Sequence, residues 1–299
     1  MRQVRRFLEM IRFSHTLFAL PFALFSAVLA WHFKAESFQW VELAGILACM
    51  VFARSAAMAF NRLADRDIDA LNPRTATRHL PSGQLSVRAV WLFTLLCSVG
   101  FVACASLFLL AEPRNPWPLI LAVPVLLFLL AYSLTKRFTA LAHFWLGASL
   151  FLAPFAAWIA ILGPHALWIP AVLGGAVLFW SAGFDIIYAC QDADFDRQAK
   201  LHSLPAKIGV TKALKVALIC HLVMLGMLTA LYVLASPPLG MVFLFALGGV
   251  TMLIVYEHSL VSPTDLTRVN QAFFHVNVVV STGLLAILLV EMALLHWGY

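Results

Sequence analysis

Seven of the fourteen acidic residues crowd into two short windows. The first reads Asn61-Arg62-Leu63-Ala64-Asp65-Arg66-Asp67-Ile68-Asp69, and the second runs from Asp185 through Tyr188 to Asp192, Asp194 and Asp196. Residues four apart stack on one face of a helix, so Asn61, Asp65 and Asp69 form a polar ridge while Asp67 projects elsewhere. Asp185, Asp192 and Asp196 follow at spacings of seven and four, again on one face with Tyr188 between them, and Asp194 points away. Stacked carboxylates repel one another and require a cation. Oxygen donors suit a hard ion, and Mg2+ keeps several waters while taking one or two carboxylates together with substrate phosphates. No His or Cys joins either ridge, which argues against zinc. The expected chemistry is about two Mg2+ ions on Asp65, Asp69, Asp185, Asp192 and Asp196, bridging a diphosphate.

Basic residues follow each ridge. Arg74 and Arg78 lie in the stretch Asn72 to Gly83, while Arg197, Lys200 and Lys207 come after the second window. Lys136 and Arg137 close the segment Tyr132-Ser133-Leu134-Thr135-Lys136-Arg137. An arginine fork matches phosphate oxygens and a lysine acts as a point charge, which makes Arg78 and Lys136 the foremost diphosphate contacts, with Arg74, Lys200 and Asn61 as further binding residues. Each of these charges would equally serve membrane topology or lipid headgroups. Arg54 stands apart, two helical turns before Asn61 and on nearly the same face. A deep arginine needs an anion. The carboxylate of an acceptor substrate fits, and so does an internal Asp or carbonyl.

The elements that must hold these residues are membrane helices. Of 299 residues, 63% are hydrophobic and 11% charged, against about a quarter charged in soluble domains. Lipid is the solvent such a chain requires. Spanning takes roughly 20 apolar residues, and the chain offers about nine such stretches, at 15–33, 40–60, 87–110, 117–135, 141–162, 166–187, 212–235, 238–257 and 273–297. The fold class is therefore an all-α polytopic membrane protein, a single domain over 1–299. The first run follows a basic stretch without a small-residue cleavage site and is expected to be retained as a span. Polar connections fall at 61–86, 188–211 and 258–272. Alternate threading gathers every Lys and Arg except Lys34 and Arg114 on one side. The positive-inside rule makes that side cytoplasmic, with the N-terminus and both Asp windows on it. This placement accounts for the net charge of +6 without nucleic acid as a partner. The five cysteines show no CxxC pair and read as small buried residues.

At Asn61-xxx-Asp65-xxx-Asp69 and Asp185-xx-Tyr188-xxx-Asp192-xxx-Asp196 the sequence resembles the UbiA-type intramembrane prenyltransferases, over nearly the whole chain. The segments Arg78-His79-Leu80-Pro81-Ser82-Gly83 and Tyr132 to Arg137 look most like the 4-hydroxybenzoate polyprenyltransferase branch, with His79 where that loop often carries proline. The opening Ile11 to Pro21 also looks like enzymes of the futalosine route to menaquinone, which prenylate a dihydroxynaphthoate. The resemblance implies nine helices around a central cavity under cytoplasmic cap loops, Mg2+ at both motifs, and a tail leaving sideways into membrane lipid.

The activity this implies is transfer of a polyprenyl group from polyprenyl diphosphate to the ring of a small aromatic acid in quinone biosynthesis. Asp65, Asp69, Asp192, Asp196 and Tyr188 would carry the catalysis, with Tyr188 or a nearby Asp orienting the diphosphate or assisting proton loss. The principal rival is a cation or proton transporter, since carboxylates at membrane depth serve such pathways too. The ridges, however, sit at helix ends beside basic residues, and a transport site belongs near the midplane. A CDP-alcohol phosphotransferase would hold its aspartates in one compact run.

Overall fold

The computed structural model describes residues 2–11, 16–236 and 238–296. Arg12 to His15 of the opening segment, Pro237, and Trp297, which would end the last expected span, lie outside the described residues. Among the described residues the chain is helical, with one isolated bridge between Ser262 and Asp265 in place of any strand. In chain order the helices are α1 (Arg2–Met10), α2 (Thr16–Phe33), α3 (Trp40–Ala64), α4 (Arg66–Leu71), α5 (Val87–Ala105), α6 (Trp117–Thr135) and α7 (Ala142–Leu162). They continue as α8 (Trp168–Ala189), α9 (Ala193–Gln198), α10 (Leu204–Ile208), α11 (Val210–Leu234), α12 (Met241–Ser259) and α13 (Asn277–His296). Short 3-10 turns occupy Ser106–Leu110 and Cys190–Asp192, and a π turn occupies Gln271–Val276. Eight helical stretches among the described residues are long and apolar enough to cross a membrane, and Phe18–Phe33 is a shorter apolar helix beside them.

Two expected boundaries move. The second span runs on to Ala64, and the sixth continues through its 3-10 turn to Gln198. Asn61 to Ala64 thus close a membrane helix that Asp65 caps, Asp67 and Asp69 fall on the short α4, and the second window lies on the end of the sixth span. The physical reason is local: Arg62, Leu63 and Ala64, like Ala189, Gln191, Ala193 and Arg197, keep good helix formers running past the apolar stretch.

The helices gather into two compact units. In the first, residues 39–138 with the N-terminal 1–16, α3 packs on α5 and α6 around Ala53, Ala56, Cys97, Phe101, Ala105, Ala122 and Leu126. A second cluster of Met10, Ile11, Ala59, Leu80, Leu85 and Val90 seats α1 and the polar connection against α3. Phe7 and Phe93 stack there with ring centroids 4.7 Å apart. Ser86 caps α5, its Oγ accepting the Ala89 N–H at 3.2 Å.

In the second unit, residues 17–38 and 139–299, α8 is the buried centre against α7 and α11. Small residues let these backbones close up, as helix pairs in lipid require. A Cβ on Gly147 would stand 2.5 Å from the Leu178 carbonyl oxygen, and one on Gly183 would stand 2.4 Å from His221 Nε2. His221 in turn links α11 to α12 through its Nδ1, 2.9 Å from His258 Nε2.

Candidate active site

The first acidic window turns on Asp65. Its backbone (φ −92°, ψ 0°) is the cap shared by α3 and α4, yet the hydrogen bonds run straight through it. The Asp65 N–H donates to Asn61 O at 2.9 Å and the Asp69 N–H to Asp65 O at 2.7 Å. Four-residue spacing is therefore kept. Asp65 and Asp69 face inward, each with a side chain 5% exposed, while Asp67 is 83% exposed and pairs with Arg66 at 2.9 Å.

Each buried carboxylate already meets a cation of the chain. Arg78 Nη1 donates to both oxygens of Asp69, at 2.7 and 2.8 Å. Lys136 Nζ donates to Asp65 Oδ2 at 2.8 Å, and Asn61 Nδ2 reaches the same oxygen at 3.2 Å. Lys136 is the cap of α6, and its neighbour Arg137 donates to the carbonyl of Ala64, closing the last turn of α3. Arg78 is placed by a compact loop: Thr75 Oγ1 donates to Asp69 O at 3.0 Å, and Asn72 Oδ1 accepts the Arg74 N–H at 2.9 Å. Arg74 itself is exposed, and Arg54 lies partly buried within α3. The two cations assigned to phosphate are thus held against the carboxylates assigned to metal, where the same side chains neutralise the ridge.

The second window begins inside α8. Asp185 is half-buried, Tyr188 is partly buried, and the Tyr188 ring lies 4.3 Å from that of Phe273. Phe273 belongs to the π turn, whose Ala272 and Phe273 carbonyls accept from Asn277 Nδ2 at 3.2 and 3.0 Å. The 3-10 turn at Cys190–Asp192 overwinds the helix by about 60°, so Asp192 and Asp196 continue the Asp185 face with an offset instead of in strict register. Asp192 and Asp196 are partly buried. Asp194 is exposed and bonds Arg197 at 2.9 Å. Lys200 ends this segment in the left-handed region, φ 54°. There the Leu201 N–H donates to Asp196 O at 2.8 Å and the Ala199 N–H to Phe195 O at 2.8 Å, which satisfies the last carbonyls of α9.

One expectation needs correction. A histidine does join the second ridge: His143 Nδ1, on α7, lies 2.7 Å from Asp185 Oδ2. Its position 42 residues upstream, amid an apolar run, leaves it no spacing signal toward Asp185. Only a buried polar residue near the start of an apolar helix marked it out.

The residues present suit a hard cation. Among the described residues no three His, Cys, Asp or Glu side chains gather closely enough to enclose an ion. Mg2+ does not ask for that, since it takes one or two carboxylates and completes its octahedron with water and phosphate. Asp65 Oδ1 is a buried oxygen with no hydrogen-bond partner. A buried acceptor left unmet is costly, and a cation bound there would remove the cost.

The model of the UbiA prenyltransferase family matches residues 19–279. The chain is 32% identical over 229 residues to the 4-hydroxybenzoate octaprenyltransferase of Nitrosomonas eutropha, covering 76% of each. A solved apo structure of a UbiA homologue from Aeropyrum pernix superposes with a TM-score of 0.82 at 32% identity, covering 93% of this chain and 98% of that one. A UbiA homologue from Archaeoglobus fulgidus, bound to DMAPP and Mg2+, shares the fold with a TM-score of 0.76 at 19% identity, over 96% of this chain and 99% of that one. The family match, the relatives and the fold define a polytopic membrane enzyme that transfers prenyl groups, and the transporter reading falls. The chain belongs to the UbiA prenyltransferase family.

Proposed function

We propose that this enzyme transfers a polyprenyl chain from its diphosphate to the ring of 4-hydroxybenzoate, in quinone biosynthesis, with Mg2+ as cofactor. The observation that carries the reading is the buried Asp65–Asp69 pair, each carboxylate held by a cation of the chain and one oxygen left unmet. The octaprenyltransferase relative supports this choice of acceptor, and the Archaeoglobus fulgidus homologue with DMAPP and Mg2+ supports a prenyl diphosphate and the metal. Asp65 and Asp69 in one motif, and Asp185, Asp192 and Asp196 in the other, would be the ligands for about two Mg2+ ions. The chain acts as a single domain of the bacterial inner membrane, its N-terminus and acidic windows cytoplasmic.

Bound Mg2+ supplies Lewis-acid stabilisation of the charge that builds on the departing diphosphate. Arg78 and Lys136, at the edge of the carboxylates, would offer their charge to the phosphate oxygens, with Asn61, Arg74 and Lys200 adding donors. Leaving of diphosphate gives an allylic cation, which the hydroxyl-activated ring attacks before losing its proton. Arg54 binds the acceptor carboxylate two turns deeper along α3. Tyr188, braced by Phe273, orients the diphosphate or helps the proton leave. The surrounding apolar helices keep out water that would quench the cation.

Membranes containing the enzyme are to be incubated with Mg2+, a polyprenyl diphosphate and a panel of hydroxylated aromatic acids. Prenylated 4-hydroxybenzoate and released diphosphate, both abolished by EDTA, are expected. Product only from a dihydroxynaphthoate would reassign the acceptor, and activity persisting in EDTA would remove the metal.

A further inference from the structure

His143 touches two elements with one ring. Its Nδ1 lies 2.7 Å from Asp185 Oδ2, and its Nε2 accepts the Leu204 N–H at 3.3 Å. A ring nitrogen that accepts a hydrogen bond carries no proton, so the neutral imidazole bears its hydrogen on Nδ1 and donates it to the carboxylate. The ring is buried, 5% exposed, and the tautomer is set by the backbone of another element. Leu204 opens α10, whose cap Ser203 accepts the Ala206 N–H at 3.4 Å. The segment between α9 and this cap carries Lys200. One side chain therefore locks the Asp185 carboxylate and docks the basic connection that follows the second acidic window.

We infer that His143 is a positioning residue for the second motif: it orients Asp185 toward a divalent cation through Nδ1 and anchors the start of α10 through Nε2. This rests on the reading of Asp185 as a cation ligand. A carboxylate already oriented by an outer hydrogen bond spends less on reorganisation when it takes up a metal, and loss of such a partner typically lowers metal affinity about 10–100-fold.

The two nitrogens are separable. His143→Asn keeps an amide donor near the place of Nδ1 but is too short to serve Leu204, whereas His143→Gln puts its amide near Nε2 and gives up Asp185. His143→Ala loses both. Purified full-length protein in detergent is titrated with Mn2+ as the probe ion, in the presence of geranyl S-thiolodiphosphate, and free Mn2+ is followed by its EPR signal. Mn2+ affinity is expected to fall about 10–100-fold in His143→Ala and His143→Gln and to stay within about threefold of wild type in His143→Asn. Unchanged affinity in His143→Gln, with Asp185→Asn weakened, overturns the role of His143 and leaves the reading of Asp185 intact. Wild-type affinity in Asp185→Asn overturns both. Helicity by circular dichroism is recorded for each variant, and if His143→Ala does not fold, the Asn and Gln pair decides.

Discussion

Lys136 Nζ lies 2.8 Å from Asp65 Oδ2, although 71 residues separate them in the chain. The ammonium is 31% exposed at its side chain and the carboxylate 5%. The contact joins the cap of α6 to the pivot between α3 and α4, and it leaves Asp65 Oδ1 buried without a partner. The lysine neutralises the carboxylate, and on the proposed reading a divalent cation at Asp65 would compete with it for that oxygen.

Lys136→Met should therefore destabilise the metal-free protein by about 1–2 kcal/mol, between the cost of a surface pair and that of a fully buried one. Added Mg2+ should recover more thermal stability in this variant than in wild type. Thermal unfolding in detergent with and without Mg2+ checks it, and equal Mg2+ shifts in the two proteins would rule out shared occupancy of Asp65.

Asp69→Asn is expected to lower transfer by about 100-fold or more, since it removes charge from both the proposed cation site and the Arg78 clamp. Asp67→Asn, on the exposed face, should stay close to wild type. Initial rates in washed membranes compare the two, and equal losses would contradict the inward and outward division of the window.

Arg54→Ala should raise the acceptor KM roughly 10–100-fold, the value of a charge-assisted bond, with little change in the KM for polyprenyl diphosphate. An unaltered acceptor KM would assign Arg54 to the protein's own interior.

Lys200 occupies a left-handed conformation, φ 54°, that costs a side-chain-bearing residue about 1 kcal/mol. Lys200→Gly should raise stability by about that amount while weakening diphosphate binding. A lysine with no part in diphosphate binding would give the first effect without the second, as read by calorimetry and by the KM for polyprenyl diphosphate.

Gly147→Ala would bring a methyl group to 2.5 Å from the Leu178 carbonyl oxygen. Backbone cannot step aside as a flexible side chain can, so the α7–α8 pair should part at a cost of about 1–3 kcal/mol. The thermal midpoint in detergent measures it, and a wild-type midpoint would show that α7 can shift freely.

Much of this molecule was legible along the chain because its rules are local. Apolar runs long enough to span lipid declare helices, and Asn61, Asp65 and Asp69 share a face because helical geometry repeats about every four residues. The same counting separates Asp67 and Asp194 from their neighbours, and the structure places both outward. The 3-10 turn at Cys190–Asp192 escaped it, since three residues of ordinary helix propensity do not announce a change of winding.

What the sequence by itself determined is the class of solvent, the helices and the residues that ride on each polar face, all consequences of composition and short-range periodicity. Only the tertiary structure decided the partners: Lys136 for Asp65, Arg78 across both oxygens of Asp69, and His143 for Asp185. The His143–Asp185 pairing depends on how closely α7 approaches α8, which contacts such as Gly147 on Leu178 set. Such contacts join residues whose separation along the chain carries no period to read.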